Sequence, residues 1–358
     1  MTMGKFKLDT AKLYHFLRIV AALLLALVFG GIILYVAGFN PLQAYKLIFK
    51  GAFGGGKALL TTLIYATPLL FTGLSFIVAR HANILNLGIE GQLYAGAMTS
   101  ALLGAYVTVL PKAVHLPLVL AAAAVAGGLW AALAAFLKVK YGANEVIVTI
   151  MMNYVATLFC GYLVAYPFQD EQGLTQTKRI ASTAQLGRLV KDHSLSVAIL
   201  FAIVLIVIIN FVFKNSRFGY RVRACGGNRL AAETAGINSR RITIQTMFLS
   251  GMISGLCGGL LVTGTYFRFI TNFSSGYGFE GVAVATLAAF NPIALILSGI
   301  LWGGIKSGAS AVNRIASVPM DIISLIQALV VILVAAPRLM DKLLAPLKKL
   351  LVKGGKTE

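Results

Sequence analysis

The sequence predicts an all-α integral membrane protein of about ten transmembrane helices, built as two five-helix repeats of opposite orientation. Three observations carry this reading: a composition with too little charge for water, apolar runs of bilayer length, and landmarks that recur in the same order in both halves. Of 358 residues, 58% are hydrophobic and 12% charged, with mean hydropathy +0.86. Soluble domains carry about twice that share of charge, and a globule of this size has too little interior for so much apolar surface. Soluble globular, disordered, collagen-like and disulfide-rich secreted classes are thereby excluded. Cys160, Cys225 and Cys257 have neither metal-type nor redox spacing and read as free thiols.

About 20 apolar residues span a bilayer as a helix, and these runs are too long and continuous for barrel strands. Spans are expected near 17–38, 58–79, 88–110, 116–137, 145–166, 195–213, 243–264, 279–290, 293–313 and 320–337. The first follows Lys5, Lys7 and Lys12 and is too long for a signal-peptide core, so it reads as an uncleaved span. The eighth is short and stops at Asn291-Pro292, where proline breaks or bends the ladder.

The net charge of +20 concerns orientation. With the N-terminus in the cytoplasm and ten crossings, 20 of the 31 basic residues fall on the cytoplasmic side, seven of them in the 214–241 loop. That is the positive-inside bias, and it places both termini in the cytoplasm. The excess is thus explained by the membrane, without nucleic acid as a partner.

The repeat is read from three ordered matches. Gly88-Ile89-Glu90-Gly91 opens the third span and Gly278-Phe279-Glu280-Gly281 the eighth. Trp130 follows in the fourth span and Trp302 in the ninth; Glu145-Val-Ile and Asp321-Ile-Ile then open the fifth and tenth. The first repeat runs over about 17–166 and the second over about 195–337 of a single 1–358 domain. Five spans per half insert the second copy upside down, a transporter arrangement with the path at the repeat interface.

Acidic side chains at bilayer depth are costly unless paired or wet. Glu90 and Glu280 have two open readings. In one, each lies in a first helical turn facing the helix dipole, with Asn86 as the N-cap of its span. Alternatively, both sit on broken helices lining a substrate path, together with Asn86, Gln92 and Asn153. Asn153, mid-span, either bonds across helices or lines that path. His15, His81, His115 and His193 fall in loops or at span ends, so no metal site is expected. Gly51-Ala-Phe-Gly-Gly-Gly56-Lys57-Ala58 approaches a phosphate-binding loop, but Ala58 replaces the magnesium-holding hydroxyl and no strand precedes it.

The 214–241 loop carries seven basic residues and one acid. Within it, Asn228 is a good N-cap, Arg229–Ala235 favour helix, and Gly236 is a good terminator. This predicts a two-turn helix between glycine-rich hinges, too short to stand alone. Its small residues Ala231, Ala232 and Ala235 suit close approach to a partner; anionic lipid is the other occupant its arginines would suit.

Here the sequence resembles a family. Asn83-Ile-Leu-Asn86-Leu-Gly-Ile-Glu90-Gly-Gln92, the loop Gly226-Gly-Asn228-Arg229-Leu-Ala231-Ala232-Glu233-Thr-Ala235-Gly236-Ile237, and Gly278-Phe-Glu280-Gly-Val-Ala-Val-Ala are similar to motifs of membrane subunits of bacterial ABC importers for nucleosides and simple sugars. That group includes ribose and branched-chain amino-acid permeases. The resemblance implies a transport subunit without its own ATPase site or cofactor, with ATP and magnesium bound by a cytoplasmic partner contacting 228–237. It also implies a second, different permease as partner, an extracytoplasmic binding protein or lipoprotein, and a multi-pass location in the inner membrane. The alternatives are an ABC permease for ribose or another simple sugar, and an ion-coupled secondary transporter using Glu90 and Glu280.

Overall fold

The computed structural model describes residues 10–335 apart from 171, 172, 191 and 192. Lys5, Lys7 and the basic 338–358 segment lie outside the described residues. In chain order the helices are α1 (Thr10–Val36), α2 (Pro41–Phe53), α3 (Gly56–His81), α4 (Ile89–Tyr106), α5 (Lys112–Tyr141), α6 (Glu145–Ala165) and α7 (Ala198–Asn215). They continue as α8 (Arg217–Gly227), α9 (Arg229–Thr234), α10 (Ser239–Leu261), α11 (Tyr277–Leu287), α12 (Ala294–Ala316) and α13 (Met320–Ala335). Beyond helix, the described residues hold only two isolated β-bridges, Gln176 with Ile270 and Arg188 with Ser196.

Each apolar run read from the sequence contains a helix. Six helices among the described residues are long and apolar enough to cross a bilayer: α3, α5, α6, α7, α12, and α10 with its continuation to Tyr266. At 11 residues, α11 reaches only about 16 Å, about half the hydrocarbon thickness. The eighth segment is therefore not a full crossing as a helix. Behind α11 the chain turns through Ala289 and Phe290, both at positive φ, and Asn291 Oδ1 accepts the Ile293 N–H (2.9 Å) to start α12.

Two helices stand where loops were expected. α2 begins at Pro41, whose missing N–H costs nothing in a first turn, and Asn40 Oδ1 accepts from the N–H of Leu42 (3.0 Å) and Gln43 (3.2 Å). The glycine-rich 51–58 segment is thus the end of α2, a turn, and the start of α3, not a phosphate loop. α8 fills the segment expected to be a hinge before residue 228.

The described chain forms two compact units. In the larger, Ala52–Lys306, α10 packs against α4 and α5 along a stripe of glycines. A Cβ on Gly255 would lie 2.9 Å from the Gly127 Cα, and one on Gly258 would lie 2.8 Å from the Ala97 nitrogen. Backbones touch directly there. In lipid, where burial from water contributes little between helices, such close contact is the main packing force. The other unit holds residues up to Gly51 and from Ser307, with a core of Leu34, Ala44, Val312, Val318, Ile323 and Ile326.

Gly255→Val should therefore sharply lower folded yield and thermal stability in detergent, because both walls that it would meet are main chain. Gly161→Ala, in α6 with nothing within 4 Å of its Cβ, should be neutral or stabilising by up to about 1 kcal/mol. Equal melting of the two variants would refute this account of the glycine stripe.

Candidate functional site

The residues before α4 form irregular backbone, which must find hydrogen-bond partners wherever it is buried. Side chains from two other helices supply them. Asn153 of α6 donates through Nδ2 to the Leu87 carbonyl (2.7 Å) and accepts the Gly91 N–H at Oδ1 (2.8 Å). Ser254 of α10 donates to the Ile89 carbonyl (2.6 Å). Asn86 and Gln92, both fully buried, exchange two amide hydrogen bonds of 3.1 and 2.9 Å, and Asn86 Nδ2 also donates to Ser250 Oγ (2.9 Å).

Asn86 differs from its expected role. The cap position of α4 belongs to Gly88, which has no side chain to offer; Asn86 Oδ1 instead accepts the Gly88 N–H (3.0 Å) in the turn before the helix. The third-residue N–H that an N-cap would normally satisfy is taken by Asn153, across helices.

Glu90 works in the same crossed fashion. It is 8% exposed, and its Oε2 accepts the Gly278 N–H in the first turn of α11 (2.6 Å). It therefore caps α11 rather than its own helix. Because Gly276, at the cap position of α11, lacks a side chain, the carboxylate fills the place that its absence leaves. A Cβ on Gly278 would sit 2.8 Å from the Glu90 Cα, so the two tetrapeptides matched in the sequence meet in space and need glycine to do so.

Glu280 lies in the same first turn of α11, half-buried and paired with Lys306 of α12, whose Nζ is 2.7 Å from both carboxylate oxygens. The same ammonium lies 4.9 Å from the centre of the Tyr277 ring. Sequence reading missed Lys306, although a lone cation inside the ninth apolar run was signal enough. His115, in the first turn of α5, is buried and bonds Thr183 Oγ1 (2.8 Å) and the Leu103 carbonyl (3.3 Å).

Tyr277 also walls a cavity of about 290 Å³ between α3, α10 and the residues before α7. Tyr65 of α3 and Tyr266 line it with Tyr277, beside the hydroxyls of Thr61, Thr265 and Ser196. Tyr266 is placed there by a π-helical turn, Val262–Tyr266, that continues α10 and ends at Phe267 in the left-handed region. Such turns are over-represented at functional sites.

The 214–241 connection begins at Ser216, whose hydroxyl donates to the Val212 carbonyl of α7 (2.6 Å) and accepts the Gly219 N–H of α8 (3.0 Å). α9 forms where its caps predict: Asn228 Oδ1 accepts the Ala231 N–H (3.1 Å). At its other end, Gly236 N donates to the Glu233 carbonyl (3.0 Å) and Ile237 N to the Ala232 carbonyl (2.9 Å), with Gly236 at φ +80°. This is the paired 5→2 and 6→1 closure of a Schellman end. Ser239 Oγ donates to the Glu233 carboxylate, as does Arg229 (3.2 Å); these two bonds, the Ser239 one first, hold that carboxyl below its ordinary value.

Two expectations for this loop are corrected. Gly226 is no hinge: it lies in the last turn of α8 with the His81 carbonyl where its Cβ would stand. Ala232 is buried within the chain, so the outward face of α9 consists of Leu230, 74% exposed, with Ala231 and Ala235. Ile237 is half-buried.

Residues 58–335 match the model of a family described as the branched-chain amino acid transport system / permease component. The chain is 32% identical to the guanosine ABC transporter permease NupP of Bacillus subtilis, over 94% of this chain and 98% of that protein. It is 29% identical to the nucleoside ABC transporter permease NupB of Lactococcus lactis, over 91% and 93% of the two chains. Against the glucose ABC transporter permease TsgB13 of Haloferax volcanii it is 30% identical, over 87% and 85%. Bacillus subtilis and Lactococcus lactis each hold a further matching permease, named NupQ and NupC. No solved structure matches the chain.

The Glu280–Lys306 pair yields a stability test. Lys306→Met leaves a half-buried carboxylate uncompensated and should destabilise the purified protein by on the order of 2 kcal/mol, whereas Glu280→Gln with Lys306→Met together should recover most of that loss. Additive losses in denaturant unfolding would show that the two side chains are not coupled.

Proposed function

The chain belongs to the branched-chain amino acid transport system permease-component family, and on that premise we propose that it is the membrane-spanning subunit of an ATP-driven importer for nucleosides. The observation that carries this reading is α9. A six-residue helix cannot stand alone in water, yet this one is capped at both ends while holding Leu230 outward. In this reading Leu230, Ala231 and Ala235, on a frame set by Asn228, Arg229, Glu233, Gly236 and Ile237, dock a separate cytoplasmic ATPase subunit, which supplies ATP and magnesium chemistry.

The whole 1–358 chain then acts as one permease domain with both termini cytoplasmic, two inverted repeats and ten transmembrane segments, the eighth crossing as the short α11 together with the irregular backbone next to it. The shared contact of the Glu90 and Glu280 tetrapeptides supports that repeat. NupP with NupQ, and NupB with NupC, are pairs of permeases within one organism, which supports a second, different permease as partner. An extracytoplasmic binding protein delivers substrate. Closure of the ATPase pair moves α9 and rocks the spans between access states.

Asn86, Glu90, Gln92 and Asn153 act on the pathway by fixing where α4 and α11 begin, while Glu280 and Lys306 hold Tyr277 at the cavity wall. Three tyrosines around that space suit a flat aromatic base, with nearby hydroxyls for a ribose. That favours a nucleoside over the bare sugar named for the Haloferax relative. Glu90 and Glu280 are each occupied by a protein donor, which argues against an ion-coupled mechanism running through them.

In cells carrying the complete importer, Leu230→Glu or Gly236→Val should abolish uptake of labelled guanosine with permease content in the membrane retained; unimpaired uptake would overturn the docking assignment. Tyr266→Ala should raise the KM for nucleoside uptake about tenfold, the loss of one base-stacking contact, while glucose should not compete. Glucose competing as well as adenosine would replace the nucleoside reading by the sugar one.

A further inference from the structure

The connection between α7 and α10 holds a second feature, whose cationic side chains the docking of α9 does not use. Between α8 and the first turns of α10 lies an open cleft of about 880 Å³, lined by Lys214, Arg217, Arg221, Arg223 and Arg241. No acidic residue lines it, all five cations are exposed, and among the described residues none of them is ion-paired. Five like charges around one cleft repel one another unless an anion sits among them.

The backbone adds to the same field. The N-terminal ends of both α8 and α10 open on the cleft through Ser216 and Asn238, and each brings the positive end of a helix dipole. Guanidinium groups offer paired donors that match a phosphate better than an ammonium does. The position favours lipid as the source of that phosphate: Lys214 is in the last turn of α7, and α10 is the next crossing. Tyr220, 64% exposed at the rim, has the amphipathic ring that settles at headgroup level.

We propose that this cleft binds the phosphate-bearing headgroup of an anionic phospholipid and so seats the α8–α9 segment against the bilayer surface. The inference rests on the cytoplasmic placement of 214–241 adopted above, but not on the identity of the transported molecule. It assigns the unpaired arginines a role beside that of Leu230 and Ala231 on α9, with Ala235, Gly236 and Ile237 bordering both surfaces.

The test uses the full-length chain purified in neutral detergent and titrated with short-chain phosphatidylglycerol, short-chain phosphatidylcholine and inorganic phosphate. Phosphatidylglycerol should bind at least about tenfold tighter than phosphatidylcholine, and the variant Arg221→Gln with Arg241→Gln should lose about tenfold in that affinity. Arg221→Lys with Arg241→Lys, which keeps the charge but loses the paired donors, should bind phosphatidylglycerol between the parent and the glutamine double variant, and single Arg221→Gln serves should the double variant fail to fold. Equal binding of the two lipids, or an unchanged double variant, overturns the proposal. Inorganic phosphate binding as tightly as phosphatidylglycerol makes the ligand a soluble phosphate and overturns the lipid source. Lost co-purification of the ATPase subunit with lipid affinity intact makes the cleft a protein surface and overturns it too. Nucleoside uptake by the parent importer is scored separately: its failure beside intact lipid binding strikes the substrate reading alone, and the converse strikes this inference alone.

Discussion

The carboxylate of Glu90 accepts a hydrogen bond from the first turn of a helix nearly two hundred residues later in the chain, and the rest of the larger unit is arranged to permit it. Two helices, α4 and α11, begin in buried surroundings after stretches of irregular backbone. Each leaves N–H groups that water would satisfy in a soluble protein, and an unsatisfied group in an apolar medium costs several kcal/mol. Both starts carry glycine at the cap position, which brings the two backbones close but removes the side chain that could cap locally. The missing acceptors come from elsewhere: Asn153 for α4 and Glu90 for α11. Close approach and crossed capping are thus one constraint seen from two sides.

Glycine settles the remainder of the packing by the same logic. Gly251, Gly255 and Gly258 bring α10 into backbone contact with α4 and α5, and this leaves Ser250 and Ser254 close enough to serve Asn86 and Ile89. The amide network around α4 therefore depends on the glycine stripe. Any side chain that pushed α10 outward would lengthen several buried hydrogen bonds at once, and in a low-dielectric interior such losses are not repaid by solvent.

How much of this was legible from sequence depended on whether the determining contact is local. Helix α9 was, because its caps lie within nine residues and act on their own backbone. The Glu90 and Glu280 tetrapeptides were conspicuous as motifs, but their meaning was not: capping across 188 positions leaves no local trace, and Asn86 was accordingly given a role that Asn153 performs. Helix α2 was hidden because a short amphipathic helix next to a bilayer lacks the apolar run used to find spans, although Asn40-Pro41 signalled its start. Gly226 read as a hinge because glycine in sequence looks like freedom, whereas here it marks a backbone crossing at His81. Ala232 read as surface because a small side chain carries no hint of which face it occupies.

Under the importer reading, the same geometry says how movement at the cytoplasmic surface reaches the cavity. Two helices lead away from the α8–α9 segment: α3, whose last residue His81 meets Gly226, and α10, which follows α9 directly and is tied to it by Ser239 on Glu233. These two also wall the cavity, α3 through Tyr65 and α10 through the π-helical turn that carries Tyr266. Between those points α10 meets α4 and α5 through glycines, whereas α3 contains Pro68 and packs Leu69, Leu70, Phe71, Leu74 and Ile77 fully into the interior, so α10 is the one of the two whose contacts best permit a rod-like shift. A π turn at the end of such a rod is where the strain of that shift is most cheaply taken up, since its hydrogen-bond register is already looser than that of an α-helix. The polar network around α4 ties α10 to it through Ser250 and Ser254, so a shift of α10 carries the start of α4 with it and reaches Glu90 and α11 as well as the cavity.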